Sequence, residues 1–535
     1  MSERAARGRA RRPPWALLAA GVIAVAAVAL PLAYLVVRVG GAGGDALDVL
    51  GRARLASLVL DTALLALAVT GGAVAIGVPL AWLVTRSDLP GRRVWAVLVA
   101  LPLVVPSYVA ALTLLAAFGP RGMLQRALEG PFGVERVPEV YGFPGAFGAL
   151  LLATYPYVYL LTAGALRTAD PSLEEAARGL GRRPLAVFGR VTLPLVAPSV
   201  AAGGLLVCLY VLSDFGAVSL MRYDSLTRAI FVQYRSLFDR TPAAVLALVL
   251  VVLTALVLVA EARARGRARV HRTAPGAPRA LTPVVLGRWR WLALVFAGAV
   301  VAFALAVPLA VLGYWFARAV SLGTAIEAAW GPALNSVAIS ALAAGLVCLA
   351  AFPVALLAVR YPSPGTRGLE LAGYGANALP GIVIALSLVF FAARYASPVY
   401  QTIGLLLFAY VVRFYAQGLA ATRAAIVRVD PALEEAARGL GRSPITAFAS
   451  VTAPLVGSGL LAGATLVFLS TMKELPATLL LRPIGFETLA TEVWRATSVG
   501  AYSQASVPAL LLVAAAAPFV YLLTGRRVSE LAAHD

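Results

Sequence analysis

Long apolar runs alternate with short, arginine-rich polar stretches from one end of the chain to the other. A helix that crosses a bilayer needs about 20 mostly apolar residues. On that measure the pattern predicts twelve spans, at 15–37, 58–84, 94–118, 145–166, 194–213, 243–260, 291–313, 333–358, 371–393, 402–421, 455–472 and 506–524. Pro79, Pro102, Pro353 and Pro380 fall inside four of them. Membrane helices tolerate such breaks where neighbouring groups satisfy the freed backbone. The first run follows Arg4, Arg7, Arg9, Arg11 and Arg12 in the manner of a secretion signal. Its apolar stretch is too long for one, so it reads as a retained anchor.

Composition supports a lipid solvent. Of 535 residues, 61% are hydrophobic and 13% charged, against roughly 25% charged in an average soluble domain. That is too little polar surface for a set of soluble domains and too much apolar content for disorder. The net charge of +20 would point to nucleic acid in a soluble protein. Here its distribution gives another explanation. With the N-terminus in the cytoplasm and the spans alternating, 29 of the 45 cationic residues fall on cytoplasmic segments and 14 outside, as the positive-inside rule requires. Both termini are then cytoplasmic, and no nucleic-acid partner is expected. Cys208 and Cys348 lie in apolar runs, and the two histidines are His271 and His534. A disulfide framework, a thiolate metal site and a histidine-ligated catalytic metal are all disfavoured.

The composition breaks near the midpoint. Residues 261–290 carry Arg263, Arg265, Arg267 and Arg269 followed by Pro275, Pro278 and Pro283. They read as a solvated cytoplasmic tether, or as a contact for anionic lipid headgroups. The expected organisation is a tail, first span and loop at 1–54, a first helical domain at 55–260, the basic linker at 261–290, a seventh span and loop at 291–331, a second domain at 332–525 and a tail at 526–535.

The two halves are copies. The stretch Asp170-Pro-Ser-Leu-Glu-Glu-Ala-Ala-Arg-Gly-Leu-Gly-Arg182 returns almost verbatim from Asp430 to Arg442, 260 residues later. Asp61 aligns with Asn335, each opening a span, Pro79 with Pro353, Pro90-Gly91 with Pro364-Gly365, and Leu101-Pro102 with Leu379-Pro380. Six spans per half is an even number, so the copies enter the membrane in the same sense and both repeated segments are cytoplasmic, unlike the inverted repeats of many secondary transporters. Within the segment, Asp170 suits an N-cap and Pro171 the first helical position. Glu174 and Glu175 fall in the first turn, at the positive end of the helix dipole. Gly179 and Gly181 stop the helix, Arg182-Arg183-Pro184 starts another, and Thr192-Leu193-Pro194 leads into the next span. The product is a bent pair of short helices with a small Ala176-Ala177 face, a shape that a partner can grip.

These residues resemble the signature loop of importer permeases of the ATP-binding-cassette class. The pattern reads Glu175, Ala176, Ala177, Gly181, Val191, Leu193 and Pro194 in the first half. In the second it reads Glu435, Ala436, Ala437, Gly441, Val451, Ala453 and Pro454, where Ala453 departs from the usual leucine. The resemblance implies an all-α integral membrane protein of the type I importer permease fold, about twelve helices in two tandem six-helix halves. It implies that these loops dock on two copies of a separate ATPase subunit, that ATP is bound there and no cofactor on this chain, and that a periplasmic substrate-binding protein delivers the cargo across a bacterial inner membrane. Leu101-Pro-Leu-Val-Val-Pro-Ser-Tyr108, Gly119-Pro-Arg-Gly122, Asp214-Phe-Gly-Ala-Val218 and Met472-Lys-Glu-Leu-Pro-Ala-Thr478 are similar to fused permeases of bacterial ferric iron uptake. Thiamine and aminophosphonate importers share the layout.

No phosphate-binding G-x-x-x-x-G-K-[ST] loop occurs, and no Ser-His or paired-Asp arrangement suggests an intramembrane enzyme, so no catalytic or metal residue is assigned. An ion-coupled secondary transporter would favour paired buried carboxylates and lack duplicated loops. Asp214 and Glu474 stand at equivalent positions at the ends of the fifth and eleventh spans, Lys473 is the sole lysine, and Arg413 lies inside the tenth span. Such charges line a pathway or gate, or lie shallow, pair locally or snorkel.

Overall fold

A computed structural model describes residues 13–51, 53–120, 122–133, 138–169, 172–236, 240–267, 283–321, 323 and 329–532. Among these the chain is helical, with ten helices long and apolar enough to cross a membrane and two shorter apolar helices, Gly381–Tyr395 and Tyr502–Pro518. The all-α membrane fold expected from the hydrophobic pattern is the one observed. Asp170, Pro171, the arginines before Pro13, both histidines and most of the basic linker lie outside the described residues.

Two expected spans are broken in the middle. The third consists of Arg92–Leu98, a 3-10 turn Leu101–Val104 and the helix Ser107–Phe118. The ninth consists of Pro364–Gly375, a 3-10 turn Ala376–Ala378 and Gly381–Tyr395. Proline has no N–H and forces its predecessor out of the helical region. Val105 and Leu379 are accordingly extended, with ψ of 115° and 110°, immediately before Pro106 and Pro380. This corrects the alignment of Leu101-Pro102 with Leu379-Pro380. Pro106 is the equivalent of Pro380, at the 274-residue offset that also relates Asp61 to Asn335 and Pro79 to Pro353. The breaks do not waste backbone groups. Tyr155 and Tyr159 donate their hydroxyls to the carbonyls of Val99 and Ala96, at 2.9 and 3.1 Å. Arg413 donates to Leu379 O at 3.3 Å.

Asp61 does not open a helix. The helix runs Ala53–Arg86, 34 residues, about 50 Å at 1.5 Å per residue and well beyond a hydrocarbon core of about 30 Å. Its alanines and leucines carry the helix outward past the aspartate. The next residue anchors a loop: Thr62 Oγ1 accepts from Leu226 N at 2.9 Å, as Ser336 Oγ accepts from Leu489 N at 2.8 Å. These two hydroxyls hold the starts of amphipathic helices Leu226–Ser236 and Leu489–Ser498, which the search for apolar runs did not foresee.

The chain forms two compact units. One gathers residues 49–238, 252–329 and 492–535, and the other 1–48, 239–251 and 330–491. Ala53–Arg86, Phe143–Thr168 and Leu193–Ser213 form the packed centre of the first. Glycine lets their backbones approach closely. A Cβ on Gly77 would lie 2.9 Å from Tyr159 N, and one on Gly203 2.8 Å from Val158 Cα. Trp330–Arg360, Ile403–Val427 and Ala453–Met472 form the corresponding centre of the second unit. The first span of the chain, Trp15–Gly40, packs there, with Gly21 against Val354 and Leu357 and Arg38 4.1 Å above the Phe390 ring. The seventh span lies in the first unit, where Val311 and Trp315 meet Ala116, Ala117 and Tyr502.

Candidate functional site

Each repeated loop begins with a short helix, Ser172–Gly179 or Pro431–Gly439. Asp430 caps the second through Ala432 N at 2.9 Å, with Pro431 in the first turn. Both helices end in the same way. Gly181 N reaches Arg178 O at 2.9 Å and Arg182 N reaches Ala177 O at 3.2 Å. Gly441 N and Arg442 N repeat the pair at 3.0 and 3.2 Å. This is a Schellman closure, which requires a left-handed residue; Gly181 and Gly441 supply it with φ of +77° and +85°. The corner throws Leu180 and Leu440 outward, 84% and 86% exposed. Glu175, Ala176, Glu435 and Ala436 are exposed beside them, Ala177 is half-buried and Ala437 buried.

The return to the membrane is also the same twice. Pro184–Val187 and Pro444–Ala447 each run into a π-helical turn, Phe188–Thr192 and Phe448–Thr452, and then into a span with exposed Pro194 or Pro454 in its first turn. Each proline follows directly on the π turn, where the backbone is already shifted from i−4 to i−5 bonding: Leu193 N–H, like Ala453 N–H, reaches the carbonyl five residues back, Phe188 O or Phe448 O.

Arg86 and Glu174 were not recognised as a pair from sequence. Arg86 ends the helix Ala53–Arg86 and Glu174 lies in the first loop helix. Their side chains are 1% and 2% exposed and 3.4 Å apart, and Arg178 meets the same carboxylate at 3.3 Å. Arg86 also donates to Ala169 O, while its own carbonyl accepts Val284 N at 2.8 Å. Val284 begins a parallel bridge between the end of the basic linker and Ser87, continued by Leu286 N to Asp88 Oδ1 at 2.8 Å. The linker, expected as a free tether, is thus stitched at its C-terminal end to the loop after the second span. The available signal was positional, since Arg86 and Arg360 end matched spans at the 274-residue offset.

The membrane charges are each engaged locally. Asp214 is buried, accepts the Ser107 hydroxyl and caps the helix Gly216–Leu220 through Ala217 N at 2.9 Å. In the other unit, Glu474 Oε1 accepts from Ala477 N at 3.3 Å. A Cβ on Gly381 would lie 2.6 Å from that oxygen and 3.5 Å from Arg413 Nε, so Glu474, Arg413 and Gly381 share one small space. Lys473 is half-buried at the helix end beside it. Ser107 and Gly381 escaped sequence reasoning because the repeat had been aligned four residues out of register. Among the described residues no three His, Cys, Asp or Glu side chains gather as a metal cage.

The chain is similar over nearly its whole length to an Fe(3+)-transport system permease protein of Haemophilus influenzae, 32% identical across 96% of this chain and 98% of the relative. A ferric transport system permease of Actinobacillus pleuropneumoniae is 25% identical over 70% of this chain and 57% of its own length. A molybdenum transport system permease of Mycobacterium bovis is 35% identical over 38% of this chain and 75% of the relative. The family model for the inner membrane component of binding-protein-dependent transport systems matches twice, at residues 73–269 and 353–526. The chain belongs to that family and is a multi-pass inner-membrane permease of an ATP-binding-cassette importer, with two halves fused in one polypeptide.

Proposed function

We propose that this permease imports ferric iron, received from a periplasmic binding protein and passed through the membrane by alternating access. The observation that carries the substrate is the likeness to an Fe(3+) permease along 96% of the chain; the molybdenum relative matches only 38% of it and supports the permease class alone. Two copies of an ATPase subunit, which bind and hydrolyse the ATP, dock on the corners at Gly181 and Gly441. The duplicated exposure of Leu180 and Leu440 supports this, since a soluble loop gains nothing by holding a leucine out in water twice. Both corners and both termini are cytoplasmic in this reading, in keeping with the arginine distribution. Asp214, Glu474, Lys473 and Arg413 border the cargo path, where rearrangement of their local bonds accompanies passage.

Deleting the protein should lower accumulation of ferric iron and leave molybdate and thiamine uptake unchanged. Normal iron uptake with loss of another solute would reassign the cargo within the same family. Cysteines placed at Gly181 and Gly441 should react with an impermeant reagent only from the cytoplasmic side, and labelling in intact cells would overturn the orientation.

A further inference from the structure

Glu174 and Glu434 hold the same place in the two loops, yet their carboxylates are bound differently. Glu174 pairs with Arg86 at 3.4 Å and Arg178 at 3.3 Å. Glu434 Oε2 instead accepts the Thr452 hydroxyl at 2.9 Å, and among the described residues no ion pair joins it to Arg360. Both kinds of partner nevertheless exist in both halves. Arg360 stands as Arg86 does: each ends its span and donates Nη2 to the carbonyl before the loop, Val429 O at 3.4 Å and Ala169 O at 3.5 Å. Thr192 stands as Thr452 does, closing the π-helical turn against which the loop helix packs. Thr192 is buried and its hydroxyl makes no hydrogen bond. A buried hydroxyl left unmade is costly and calls for a reason, and π-turns collect at functional sites.

We propose that each glutamate is a two-position latch and that the two halves display its two positions. In one, the carboxylate grips the arginine that ends Ala53–Arg86 or its counterpart Trp330–Arg360. In the other, it grips the threonine at the start of the following span. Moving between them transfers the hold on the Glu-Ala-Ala helix from Ala53–Arg86 to Leu193–Ser213 in the first half, and from Trp330–Arg360 to Ala453–Met472 in the second. This is the kind of discrete two-state element that a docked partner biases. Thr192 and Arg360 are then positioning residues for the state their half does not display. The inference rests on the docking role proposed for the loops.

The decisive variant is Thr192→Val, which removes a hydroxyl that bonds to nothing in the present arrangement. A fixed asymmetry makes this change silent, and only Thr452→Val lowers transport. An alternating latch makes both changes lower iron-coupled ATP hydrolysis by about tenfold, the size expected for one hydrogen bond to a charged group, with Thr192→Ser restoring it. The assay uses the full complex in proteoliposomes, with ferric iron presented on the binding protein and iron uptake, ATP turnover and co-purification of the ATPase read together. Wild-type transport by Thr192→Val overturns the latch. So does a loss of thermal stability in Thr192→Val equal to its loss of transport, because packing alone would then explain it. Failure of the docking reading is separately visible, as unchanged ATPase co-purification when Gly181 and Gly441 are both replaced by tryptophan.

Discussion

The repeated loops and the broken membrane spans solve the same problem of duplication in opposite ways. The corners of the loops keep sequence and geometry together: both Schellman closures make the same bonds. The broken spans keep the geometry and exchange the chemistry. Where the first half places Ser107 against Asp214, the second places Gly381 against Glu474. The acid is one methylene longer and the facing residue has lost its side chain, so the filled volume is conserved by compensation. An exposed corner closed by a left-handed glycine has to repeat its sequence to repeat its shape, whereas an interior contact need only stay full.

This contrast can be broken at its most crowded point. Gly381→Val should cost about 3 kcal/mol by overpacking, seen as a lowered Tm of the purified protein in detergent. Gly381→Ser combined with Glu474→Asp, which writes the first half's pair into the second, should recover most of the stability lost by Gly381→Ser alone. No recovery would mean that the two sites are not versions of one contact. Next in size, Ser107→Ala strips a hydrogen bond from the buried Asp214 carboxylate and should cost about 2 kcal/mol, while the corresponding Gly381→Ala acts through crowding and is relieved by shortening Glu474. The loops should behave in the reverse manner. Gly181→Ala and Gly441→Ala each impose left-handed strain of about 1 kcal/mol, with equal effects on stability in the two copies and no compensating partner elsewhere. Unequal effects would show that the corners are not equivalent. The smallest effect sought is at Val284: Val284→Pro removes the N–H given to Arg86 O, and should free the linker end, raising amide exchange at Leu286 without moving Tm measurably.

Much of this was legible in the sequence because it depends on short-range chemistry. The spans follow from apolar length, the loop corners from glycine placed after a short acidic helix, and the duplication from near-verbatim repetition. What escaped depends on register and on distance along the chain. Pro102 and Pro106 are both capable of breaking a helix; Pro102 is absorbed at the start of a 3-10 turn and the extended residue is Val105, before Pro106, a choice that the sequence pattern alone does not make. Arg86 reads from sequence as one of many cytoplasmic arginines; its burial against Glu174 comes from the close approach of helices that glycines such as Gly77 permit. Asp61 sits where hydropathy ends, but a helix is stopped by a cap and not by a charge, and none occurs there.

The place of the first span has a consequence for biogenesis. Trp15–Gly40 leaves the ribosome about 300 residues before the surface it packs on, which belongs to Trp330–Arg360 and Gly381–Tyr395. At translation rates of about 5–20 residues per second, that surface is completed roughly 20 to 70 s later. Through that interval Gly21 and its face must be occupied by lipid or by the insertion machinery. A stall or truncation before Trp330–Arg360 is made therefore leaves Trp15–Gly40 in the membrane as an orphan, a signal by which quality control can recognise an unfinished chain.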